Sequence, residues 1–136
     1  MPIVNLQYRA EFCAAHRLHN PELSPEENVR IFGKCNHANG HGHNYILEVV
    51  LKGEIDAKTG MILNVFDIEK IVEARVMSKI DHKHLNLDVA EFKTLIPTAE
   101  NIAVVVWHWL KPEFGALLHE IRIHETADCV VRYFGE

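Results

Sequence analysis

The sequence predicts an α+β fold: one four-stranded antiparallel sheet with two helices on one of its faces, in the order ββααββ. Two observations predict it. Strand-like segments lie toward the two ends of the chain, at residues 3–14 and 45–53 and again at 118–124 and 129–134. Two stretches with helical spacing of apolar residues lie between them, at 68–80 and 102–110. At 136 residues the chain fits a single domain, 1–136, with room for a real core.

Taken in order, residues 3–14 alternate in part: Val4, Leu6, Tyr8 and Phe12 share one face, and Asn5, Gln7 and Arg9 share the other. His16 has the parity of Phe12 and so points inward. It is there either as a metal ligand or as a core histidine satisfied by a backbone carbonyl. Ser24-Pro25-Glu26-Glu27 combines an N-cap serine, a proline at the first helical position and a capping-box glutamate, so a short helix runs to about Phe32. It is an insertion between the first two strands, placed to wall a pocket beside Cys35. Residues 45–53 read as the second strand, 56–60 as a turn and 61–65 as a short extended return. Asp67 caps a helix whose apolar positions are Ile68, Ile71, Val72, Val76 and Ile80. Thr98 caps a second helix with Ile102, Val105, Val106, Trp109 and Leu110 on its buried stripe, and Pro112 and Gly115 stop it. Residues 118–124 and 129–134 then close an antiparallel hairpin through 125–128, with Cys129 in the core. A sheet covered on one face leaves the other face and two edges open, so a homo-oligomer is expected, with sites between copies.

Composition narrows the function classes. With 48% hydrophobic and 24% charged residues the chain reads as an ordinary globular protein. A formal charge of −5 with scattered Lys and Arg offers no basic stripe, so no nucleic-acid partner is expected. There is no signal peptide pattern and no membrane-length apolar run, so the expected location is cytoplasmic, away from membranes. Three cysteines without a framework spacing fit reduced thiols.

Chemistry concentrates in residues 33–45, where Cys35, His37, His41 and His43 share a Gly- and Asn-rich loop running into the second strand. His41 and His43 are two apart, so in an extended backbone their imidazoles project from one face. Gly40 and Gly42 permit close approach beside them. A catalytic zinc site takes three protein ligands and leaves the fourth position for water or substrate, and His16 is the candidate third.

These motifs together resemble the 6-pyruvoyl-tetrahydropterin synthase family over essentially the whole chain. The residues that carry the resemblance are Phe12-Cys13-Ala14-Ala15-His16-Arg17-Leu18, Cys35 followed after five residues by His41-Gly42-His43-Asn44, Ile80-Asp81-His82, Pro97-Thr98-Ala99-Glu100-Asn101 and His124-Glu125-Thr126. The resemblance implies the tunnelling fold, in which sheets of three subunits join into a barrel and two trimers stack into a hexamer. It implies Zn2+ on His16, His41 and His43, with Cys35, Asp81 and His82 as the catalytic set. Glu125 would anchor the pterin, and Thr98 and Glu100 would line the same pocket. The implied activity is a lyase of tetrahydrobiopterin biosynthesis that converts 7,8-dihydroneopterin triphosphate to 6-pyruvoyl-tetrahydropterin with loss of triphosphate. Related members make 6-carboxy-tetrahydropterin for queuosine biosynthesis from the same compound, and the five-residue spacing favours the 6-pyruvoyl branch. A third reading is a non-enzymic, zinc-stabilised binding module with Cys35 as fourth ligand. Cys13 stands where the family pattern leads to serine, and His37 and His84 are imidazoles that the pattern does not require.

Overall fold

A computed structural model describes residues 1–136. Strand β1 (Ile3–His16) pairs antiparallel with β2 (His41–Glu54), and β2 pairs with β4 (Leu118–Thr126), which turns back into β5 (Cys129–Tyr133). The sheet has five strands rather than four, because Lys83–His84 forms β3, a two-residue strand parallel to β1 at Ala14 and Ala15. The full order is β3-β1-β2-β4-β5.

Between β1 and β2, α1 (Pro25–Phe32) starts on the expected capping box of Ser24 and Glu27. The middle of the chain carries α2 (Val65–Val72), a wider π turn at Glu73–Met77 and α3 (Ser78–Ile80), then α4 (Leu85–Asp88) after β3, and α5 (Ala99–Phe114). Helix α2 is capped by Asn64, whose Oδ1 accepts the Phe66 N–H at 2.9 Å, and not by Asp67, which sits in its first turn. Starting at Val65, the helix also takes up the end of the expected extended return, and residues 61–64 form no strand. Thr98 caps α5 as expected, accepting the Asn101 N–H at 3.2 Å. Pro112 lies inside the helix, not at its end: burial of Leu110 and Phe114 carries the last turn past it, and Gly115 stops the helix.

Period two decides the layers. The even residues of β1 from Phe12 to His16 and the odd residues of β2 from Tyr45 to Leu51 are buried against the helices. Ile102, Val106 and Leu110, one stripe of α5, are fully buried in the same core with Ile68, Val76 and Ile80. No helix covers the opposite face, where Glu48 and Glu120 are nonetheless nearly buried. Arg122 donates to Glu120 through Nε at 2.8 Å, Arg132 donates to the same carboxylate, and His124 pairs with Glu48. Cys129 is exposed rather than in the core, because it pairs with Thr126 at the hairpin end beyond the helical layer. All three cysteines are free thiols.

Candidate metal and active site

The β1–β2 register builds the site. Residues directly opposite in an antiparallel pair share a face, and His16 stands opposite His41 while Ala14 stands opposite His43. His43 is therefore diagonal to His16, and all three imidazoles lie on the helix-covered side. One candidate ligand atom from each falls within 4.8 Å of the others. The ring centroids of His16 and His41 are 4.6 Å apart, and their Nε2 atoms are 3.0 Å apart. Nitrogens bound tetrahedrally at ~2.05 Å from one ion would be separated by about 3.3 Å, close to this spacing.

The two readings of His16 turn out to hold together. Its Nδ1 lies 2.7 Å from the Pro97 carbonyl, to which it donates, so the proton is on Nδ1 and the Nε2 lone pair is left facing the other two rings. Burial lowers the His16 pKa to about 4 against the opposing pull of the Pro97 bond, with His41 and His43 adding to the decrease. Burial also lowers His41, again with help from His43. Neutral imidazole is the form that binds a metal. His43 Nε2 is buried without a hydrogen-bond partner, which is costly in a protein interior unless a ligand takes it up; His41 Nδ1 is also unpartnered, although the His41 nitrogen beside His16 is Nε2. The donor set and the unpartnered His43 nitrogen thus fit a divalent ion, and no carboxylate or thiol belongs to the cluster.

Backbone geometry packs the loop tightly against this cluster. Gly40 has φ +74°, and a Cβ there would lie 2.8 Å from the His16 carbonyl oxygen and 3.1 Å from His84 Nε2. Tyr45, stacked on Phe12 at 4.8 Å, closes the floor, and burial raises its phenol pKa so that it stays protonated.

Cys35 sits half-buried in a tight turn (Gly33–Asn36), its carbonyl accepting the Leu18 N–H at 2.9 Å. Its sulfur is not among the clustered ligand atoms, contrary to the reading of Cys35 as a fourth ligand. Glu125 belongs to β4 and not to the hairpin connection; the ladder shifts register there, and such bulges re-aim a side chain. Its carboxylate stands 3.8 Å from His43 Nε2. Asp81 accepts the Cys13 N–H at 2.9 Å and lies 3.0 Å from His82 Nδ1. His82 has φ +61°, held there by a bond from its N–H to the Cys13 carbonyl, and its ring is 81% exposed. No hydrogen bond or ion pair joins this pair to the imidazole cluster or to Cys35 within one chain. Glu100 is exposed in the first turn of α5, two residues after Thr98. Two participants were not expected from sequence. The Pro97 carbonyl fixes the His16 tautomer and leaves no side-chain signature, and His84, noticed only as an extra imidazole, lies against Gly40 with Nδ1 buried and unpartnered.

The family model for 6-pyruvoyl tetrahydropterin synthase matches residues 5–136. The chain belongs to the 6-pyruvoyl tetrahydropterin synthase family. A Drosophila melanogaster 6-pyruvoyl tetrahydrobiopterin synthase is 44% identical over 98% of this chain and 81% of its own length. The Homo sapiens protein of the same name is 44% identical over 94% of this chain and 89% of its own. The Caenorhabditis elegans 6-pyruvoyl tetrahydropterin synthase structure superposes with a TM-score of 0.96 at 40% identity, covering 100% of this chain and 98% of that one. Family membership thus agrees with a sheet that delivers three histidines to one point.

Proposed function

We propose that this single domain is a zinc-dependent 6-pyruvoyl-tetrahydropterin synthase, a carbon-oxygen lyase that converts 7,8-dihydroneopterin triphosphate to 6-pyruvoyl-tetrahydropterin with elimination of triphosphate. The observation that carries this reading is the convergence of one ligand nitrogen each from His16, His41 and His43, with His43 Nε2 left unpartnered, while the Cys35 sulfur stays outside the ligand set. Related chains named for this activity support it.

His16, His41 and His43 would hold Zn2+, which supplies positive charge that makes bound side-chain hydroxyls of the substrate more acidic. Cys35 takes a proton from the substrate side chain as general base. Asp81 orients His82 through the 3.0 Å contact, and His82 carries a proton between side-chain oxygen and carbon. Glu125 accepts the adjacent ring N–H and amino donors of the pterin as a bidentate pair, and Thr98 and Glu100 form the rim beside it. The exposed His82 ring and the uncovered sheet face fit a homohexamer in which sheets join into a barrel and one copy's Asp81–His82 pair serves another copy's site. A cytoplasmic location goes with the free thiols.

Incubation of zinc-loaded protein with 7,8-dihydroneopterin triphosphate is the test. Triphosphate release with a 6-pyruvoyl product by mass spectrometry is expected. A 6-carboxy product with acetaldehyde would move the chain to the other branch, and no release would overturn the reading. Cys35→Ala should keep zinc and lose turnover, whereas loss of the metal in that variant would restore the thiol as a ligand.

A further inference from the structure

Beside the imidazole cluster lies a groove of about 930 Å³ lined by Arg17, His19, Glu22, His84, Asn86 and Lys93, among others. It abuts the metal site directly: Arg17 follows His16, and His84 packs on Gly40, which precedes His41. We infer that this groove is a polyphosphate subsite, which takes the triphosphate tail of the substrate; the assignment of the tail rests on the function proposed above.

The donors in the groove are oriented and unspent. Arg17 Nε donates to the Asn36 carbonyl at 2.9 Å, while its two terminal nitrogens have no protein partner. Asn86 grips the Arg17 backbone at both ends, accepting its N–H at 2.8 Å and donating to its carbonyl at 2.9 Å. Asn36 Nδ2 donates to the Leu18 carbonyl at 2.9 Å and lies 2.9 Å from His19 Nδ1, so His19 Nδ1 accepts and its proton sits on Nε2 as a free donor. Lys93 spends one N–H on the Leu87 carbonyl and keeps the others.

Charge balance points the same way. Of the six arginines, Arg30, Arg75, Arg122 and Arg132 each pair with a carboxylate within 4.0 Å; the exposed Arg9 and the half-buried Arg17 do not, and neither Lys93 nor any other lysine does. In a chain of net charge −5, a half-buried guanidinium held by the backbone and left without an acid is set up for an external anion, and its planar fork matches phosphate oxygens. Glu22 is the one acid among the lining residues. The volume falls within the range of small-molecule sites and exceeds what a single phosphate needs.

Calorimetric titration of metal-free protein with inorganic tripolyphosphate tests the site without metal coordination or turnover. Binding is expected, weakened about tenfold in Lys93→Ala and in His19→Ala, with native circular dichroism in both. ATP, which carries the same tail, should compete, and 7,8-dihydroneopterin without phosphates should not. With zinc restored, Lys93→Ala should raise KM for the triphosphate substrate about tenfold while kcat stays near that of the wild type. Tripolyphosphate affinity unchanged in both variants, or equal competition by the unphosphorylated pterin, would overturn the subsite. Variant-sensitive tripolyphosphate binding by a protein that releases no triphosphate would uphold the subsite and refute the proposed reaction.

Discussion

Replacing Gly40 by alanine puts one methyl group where two ligand-bearing segments touch. The residue sits at φ +74°, a conformation that costs an L-residue about 1–2 kcal/mol relative to glycine. The added Cβ would also lie 2.8 Å from the His16 carbonyl oxygen, a backbone atom that cannot rotate away, and 3.1 Å from His84 Nε2. Together the strain and the contact should cost about 2–3 kcal/mol, and the displacement falls on His16 and on the entrance to His41. Disturbing the groups that orient a metal's ligands typically costs ~10–100-fold in metal affinity. Thermal melts of chelated protein should fall by several degrees, and competition titration with a chromogenic chelator should show zinc binding weakened at least ~10-fold. Gly40→Ala with wild-type zinc affinity would refute the claim that this close approach sets the imidazole geometry.

Thr98→Ala removes the α5 cap and should cost about 1 kcal/mol, read as a lower urea midpoint, with a small loss of zinc affinity because Pro97 adjoins it. His82→Gly should relieve left-handed strain at φ +61° and raise stability by ~0.5–1 kcal/mol while abolishing turnover; a destabilised variant would contradict the strain. Burial works to raise the Glu120 carboxyl, but bonds from Arg132 and Arg122 outweigh it and bring the pKa from 4.5 down to about 2. A depressed carboxylate stabilises the fold above its unfolded pKa and loses that contribution as pH falls through its folded one. The stability gap between the wild type and Glu120→Gln should therefore be widest above pH 4.5 and close toward pH 2, as followed by urea unfolding across that range; a gap constant with pH would rule it out.

Long periodic segments were legible in the sequence, and short or tertiary-dictated ones were not. Parity puts His41 and His43 on one face of their strand and His16 on the inward face of its own; the β1–β2 register then brings the three to the same side of the sheet. Strand β3 was invisible because two residues carry no period; its register on β1 is fixed by the Asp81 and His82 bonds to Cys13. Asn64 and Asp67 are both good caps, and only packing of Ile68 and Val72 into the core chose between them. Glu125 reads as part of the connection because it lies between two strand-like segments, yet β4 extends through it with a bulge. The Pro97 carbonyl could not be foreseen: it meets His16 across 81 positions of sequence through an atom every residue possesses.

The facing of His16 and His41 bears on how the chain folds as well as on what it binds. A slip of one residue between β1 and β2 would turn one strand's imidazoles toward the open side of the sheet and scatter the trio. An ion that grips all three rewards only the correct alignment, so metal uptake would act as proofreading for the first hairpin, and protein refolded under chelation should accumulate misaligned, aggregation-prone species.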